Sequence, residues 1–115
     1  MKFDDDLGMY AIEIDGIVFV SEDELEVEYM EKMKTIADNY WSNLPFIIEF
    51  MLPDLEVVYG SVDIEIVKEK LGRPFIDFEN GKVDYLEQTF DDMHIFTFEF
   101  LDDAFKELQY FSIDG

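Results

Sequence analysis

Two dipeptides, Asp15-Gly16 and Asn80-Gly81, do most to limit how this chain can fold. A tight hairpin turn needs backbone at positive φ, which Gly adopts without steric cost and Asn or Asp tolerate. Residues 9–14 and 17–20 flank the first dipeptide, with the β-branched side chains Ile12, Ile14, Ile17, Val18 and Val20 favouring the pleated state. Asp15-Gly16 suits a type I′ turn between them. Residues 75–78 and 82–88 flank Asn80-Gly81, the strongest hairpin signal in the chain.

The middle of the chain follows a different period. Ser21 with Glu24 matches a capping box, and apolar residues then recur at Met30, Met33, Ile36, Ala37, Tyr40 and Trp41. This spacing predicts a helix over 22–42, although the alternation in residues 25–29 also fits a short strand before a later start. Pro45 suits the first turn of a second short helix over 45–51, which Pro53 interrupts; residues 54–59 are ambiguous. A third helix is expected over 63–71, with Ser61 or Asp63 as cap, Gly72 as stop and Pro74 preventing continuation. The last third returns to strands. His94, Phe96, Phe98 and Phe100 share one face of a strand, Asp102-Asp103 opens a loop, and residues 107–113 form the final strand.

The expected fold is therefore α+β: a single antiparallel sheet, made of an N-terminal hairpin and a C-terminal meander, with two or three helices packed on one face. Residues 1–115 read as one globular domain with no linker. The expected core includes Ile12, Ile14, Val18, Met33, Ile36, Tyr40, Phe75, Tyr85, Phe96, Phe98 and Phe111.

Composition separates this chain from the disordered acidic ones. Its residues are 49% hydrophobic and 17% aromatic, enough to bury a core. It contains no cysteine, which removes disulfide and thiolate chemistry and fits a reducing compartment. Met1 opens a charged stretch unlike a secretion leader, so a cytoplasmic location is expected. The longest apolar stretch, 44–52, contains Pro45 and Glu49 and is too short to span a bilayer. The net charge is the outlier: 29 acidic residues against 8 Lys and Arg, or −21. Nucleic acids and anionic lipids would repel such a chain. The excess serves either solubility or a basic partner.

No catalytic, cofactor or metal motif is present. Asp91-Asp92-Met93-His94 is the one place where a histidine sits beside carboxylates, and His94 reads as a core or edge histidine on an otherwise Phe-bearing strand face. Asp4-Asp5-Asp6 lacks the alternating ligands, Gly and distal Glu of a calcium loop. No serine lies in a nucleophile-elbow context, and the 6 glycines form no phosphate loop. The unusual feature is charge density. Residues 3–31 hold eleven acids and no base, and like charges at Glu24–Glu28 and Glu28–Glu31 would repel on a helix. The candidate contacts for a basic partner are Glu22, Asp23, Glu24, Glu28 and Glu31, together with Asp91, Asp92, Asp102 and Asp103.

Small size, acidity, absence of cysteine, the hairpin–helix–meander order, the strand His94-Ile95-Phe96-Thr97-Phe98-Glu99-Phe100 and the ending Ile113-Asp114-Gly115 resemble the small acidic α+β immunity proteins of bacterial polymorphic toxin systems. The resemblance implies tight, non-catalytic binding that blocks a toxin's active surface, often that of a basic nuclease. It carries no functional residue across. Two other readings stand beside it: a phage-type DNA mimic, which the dense apolar content disfavours, and a house-keeping domain that is acidic for solubility.

Overall fold

Strand-forming residues are segregated to the two ends of the chain and helix-forming ones to its middle. The computed structural model describes every residue from Met1 to Gly115. Three strands come first: β1 (Lys2–Asp4), β2 (Met9–Ile14) and β3 (Ile17–Ser21). Helices α1 (Met30–Ser42), α2 (Leu44–Tyr59) and α3 (Ile64–Leu71) follow, then β4 (Phe75–Asp77), β5 (Lys82–Tyr85), β6 (Ile95–Phe100) and β7 (Leu108–Asp114). All seven strands form one sheet whose order is the chain order.

The sheet is mixed, which corrects the expectation of a wholly antiparallel one. Strands β3 and β4 pair in parallel, with Val18 opposite Phe75 and Phe19 opposite Ile76; every other neighbouring pair is antiparallel. The three helices intervene between β3 and β4 and return the chain to the end where β3 began. A parallel pair needs such a crossover. The sheet is also one strand wider than expected. Lys2, Phe3 and Asp4 pair with Ala11, Tyr10 and Met9, and Phe3 meets Tyr10 edge to face at 5.3 Å.

Pairing register decides which residues share a face. Ile17, Phe19, Ile76, Val83, Tyr85, Phe96 and Phe98 face the helices and pack against Met33, Ile36 and Tyr40 of α1, Ile47, Ile48, Met51 and Leu55 of α2, and Val67 and Leu71 of α3. Val18 and Phe75 are buried on the opposite face, in a small cluster with Val20 under Leu7, Met9 and Ala11. Ile12, Ile14 and Phe111 sit partly buried at the margin of the main core. Inside it, the Tyr40 and Tyr85 hydroxyls share a 2.6 Å hydrogen bond that ties α1 to β5. Burial pushes both phenols above their ordinary range.

Two helix boundaries differ from the expected ones. The first helix begins at Met30, after a 3₁₀ turn at Val27–Tyr29, and not at residue 22. Ser21 is drawn into β3 opposite Tyr10, fully buried, and its hydroxyl donates to Glu79 Oε1 at 2.7 Å instead of capping a helix. Starting later also spares the helix the repulsion of Glu24 against Glu28. The second helix runs unbroken through Pro53 to Tyr59. Pro53 is exposed, on the side of the helix where Glu49 also meets solvent. Beyond it Leu55 is fully buried and Tyr59 packs on Phe90 and Phe96. That burial offsets the interior proline, which costs a helix about 3 kcal/mol. The third helix is capped by the Asp63 carboxylate, which accepts from the Ile66 amide at 2.9 Å.

Candidate protein-docking surface

Strand directions sort the connections onto two ends of the sheet. Strands β1, β3, β4 and β6 run toward one end and β2, β5 and β7 run away from it. Residues 5–8, 22–26, 78–81 and 101–107 therefore open at the same end of their strands, although the twist of the sheet also brings the 101–107 loop and the 15–16 turn to the last turn of α1, where Asn39 Nδ2 donates to Asp103 O at 3.0 Å and Trp41 Nε1 to Asp15 O at 2.8 Å. They hold Asp5, Asp6, Glu22, Asp23, Glu24, Glu26, Glu79, Asp102, Asp103 and Glu107, against Lys106 as the single base. This is the acidic end. Residues 15–16, 72–74 and 86–94 open at the other.

Of the nine candidate contacts, Glu22, Asp23, Glu24, Asp102 and Asp103 share the acidic end. Glu28 and Glu31 follow directly, in the 3₁₀ turn and the first turn of α1, and both are exposed. Asp91 and Asp92 lie at the opposite end, in the β5–β6 connection. Two of the nine are engaged inside their own loops. Asp102 accepts the amides of Ala104, Lys106 and Glu107 at 2.9–3.1 Å and folds the β6–β7 loop so that Phe105 enters the core. Asp91 is a hub. It takes the Tyr59 hydroxyl at 2.5 Å, His94 Nδ1 at 2.6 Å, Gln88 Nε2 at 3.1 Å and the amides of Met93 and His94. Led by the Tyr59 hydroxyl, these bonds hold its carboxyl well below the usual carboxylate range. Burial, reinforced by Asp91, pushes Tyr59 up to about 12. The carboxylate is spent on fixing the loop to α2, and His94, partly buried just ahead of β6, is its loop partner.

Asp5, Asp6 and Glu79 were missed as members of the acidic end. Asp4-Asp5-Asp6 reads as a chain terminus until β1 is recognised, and Glu79 sits in a turn whose direction depends on the parallel pair. Strand parity is the signal that finds them.

All three ion pairs lie away from the acidic end. Arg73 bridges Glu13 at 2.5 Å and Glu87 at 2.6 Å, and His94 meets Asp91. The Arg73 guanidinium lowers the Glu87 carboxyl below its ordinary value. No cluster of three metal-ligating side chains forms, and no helix is long and apolar enough to cross a membrane. A cleft of about 340 Å³ between the helices is lined by Trp41, Leu44, Pro45, Ile48, Ile64 and neighbouring Ser42, Glu65 and Lys68. No protein-family model, curated protein or solved structure matches the chain.

Proposed function

We propose that this is a non-catalytic binding protein, working in the cytoplasm, whose acidic end docks on a basic protein surface in the manner of an immunity protein that inhibits a basic toxin such as a nuclease. One observation carries the reading. Four connections from distant parts of the chain carry ten carboxylates and one lysine on the same end of their strands, with Lys82 at the start of β5 and Lys32 over the Phe78 ring as flanking bases, while every ion pair lies elsewhere. A field of one sign repels itself, and a surface of the opposite sign relieves that cost. The same field opposes phosphate backbones, so a protein partner fits better than a nucleic acid.

The test starts with a pull-down from the native host, followed by association kinetics. Steered association runs up to about 10⁸–10⁹ M⁻¹s⁻¹ at low salt and falls steeply with ionic strength. Reversing Glu24 and Glu28 to Lys should slow association and flatten its salt dependence. A partner whose binding ignores both the reversal and the salt sinks the proposal and leaves the acidity to solubility.

A further inference from the structure

Steering charge sets rate and selectivity, but apolar anchors supply much of a complex's affinity. Helix α2 carries apolar residues on every side. Its inner face, Leu44, Ile47, Ile48, Met51 and Leu55, is buried. The outward side carries Phe46, Pro53 and Val57, spaced seven and four residues apart along one stripe. Phe46 is 47% exposed and Val57 85%, while Phe50 borders the stripe, half-buried against Phe98 and Phe111. At 3.6 residues per turn, Glu49 and Glu56 border the stripe on one side and Asp54 on the other. No Lys or Arg occurs in the helix. Its N-terminus abuts the acidic end, where Asn43 Nδ2 donates to Ala104 O at 2.9 Å.

We infer that the outer stripe of α2 is the apolar anchor site of the docking surface, and that its occupant is a basic amphipathic helix of a partner protein. The inference rests on the reading of a basic partner given above. Apolar side chains of the occupant seat on Phe46, Pro53 and Val57, and its Lys or Arg residues meet the carboxylates on either side, as flanking charges do in paired helices. Charge decides against a second copy as occupant. Two copies would set carboxylate borders against carboxylate borders on chains of −21 each.

The experiment uses the full chain and a labelled synthetic leucine–lysine helix with leucine at i, i+3, i+4 and i+7, read by fluorescence anisotropy. A leucine–glutamate helix with the same apolar face is the control. The lysine helix should bind and the glutamate helix should not. The double variant F46S/V57S should weaken binding by about tenfold or more, and E49Q/E56Q should flatten its salt dependence. V57S alone, at the most exposed position of the stripe, keeps the test valid if the double variant misfolds. Failure of the lysine helix to bind overturns the inference, as does equal binding by both helices, which also removes the basic-partner reading. Binding weakened by E24Q/E28Q but not by F46S/V57S overturns the stripe alone and leaves that reading standing. A sedimentation result in which the chain dimerises and F46S/V57S makes it monomeric assigns the stripe to self-association and overturns the inference.

Discussion

The two ends of the sheet are built from the same kind of part, short connections rich in Asp and Glu, yet they use those carboxylates in opposite ways. At the end holding residues 86–94, acids are consumed by structure: Arg73 clamps Glu13 and Glu87 together across the sheet, and Asp91 gathers Tyr59, Gln88 and His94 around one side chain. At the acidic end, Asp102 folds its own loop and Glu79 holds the Ser21 hydroxyl of β3, while Glu22, Asp23, Glu24 and Asp103 remain exposed without a cation. An acid-rich sequence is therefore not uniformly available for binding. What separates a structural carboxylate from a free one is the donors that the fold brings to it.

The largest expected effect sets a core side chain near the hub against an exposed one in the acidic-end loop, which is anchored in the core through Phe105 alone. Phe96, fully buried, sits beneath the Asp91 hub against Tyr59, Phe90 and Phe111. Phe96→Ala should cost about 3–5 kcal/mol in urea unfolding. Leu101, 59% exposed in the acidic-end loop, should lose no more than about 0.5 kcal/mol as Leu101→Ala. Equal losses would mean that Leu101 is as firmly packed as Phe96, and that part of the comparison would collapse.

The hub should come next. Asp91→Asn exchanges a charge-assisted acceptor for a neutral one facing the same donors, so the melting temperature should fall clearly at neutral pH. Its pH dependence has a defined sign. The Asp91 carboxyl is depressed in the folded state, so its stabilisation is complete above the unfolded carboxylate value near ~4 and is lost as pH falls from there toward the folded value. Tyr59 is raised, so its contribution is complete below the ordinary tyrosine value of about 10 and is lost as pH climbs through about 12. Tyr59→Phe should blunt both losses. An acid limb identical in the wild type and Asp91→Asn would show that the hub does not hold the loop.

Much of the framework was legible in residues 9–20 and 75–113, where β-branched and aromatic patterns fix strands over a period of two. What escaped is specific. The parallel β3–β4 pair is not written in either strand, because it depends on where three helices deposit the chain. Val18 and Phe75 read as members of the main core because a strand buried on both faces gives no alternation, yet they pack on the opposite face. The capping box at Ser21 was a local signal overruled by strand pairing and by the bond to Glu79. On the surface, the density of residues 22–31 was visible directly, whereas the gathering of residues 5–6, 79 and 102–103 with them required strand parity. Asp91 and Asp102 could not be told from free acids by composition, since their partners are loop amides and distant side chains.

The smallest expected effect has the opposite sign and is the sharpest test of the contrast. Neutralising an unpaired carboxylate among like charges removes repulsion and leaves no donor stranded. Glu22→Gln combined with Glu24→Gln should therefore raise stability at low ionic strength, by no more than about 0.5 kcal/mol for each surface substitution. The gain should shrink as salt is added, because the screening length falls from roughly 30 Å at 0.01 M to about 8 Å at physiological ionic strength. Wild-type stability should itself rise with salt over that range. At the other end, Glu87→Gln should lower stability slightly, because Arg73 then loses a charged partner that it meets through two hydrogen bonds. Chemical unfolding in urea, which leaves ionic strength unchanged, measures all of these on one scale. If the Glu22 and Glu24 substitutions destabilise the chain, or if their effect does not change with salt, those carboxylates are held by donors as Asp91 is, and the acidic end is structural after all.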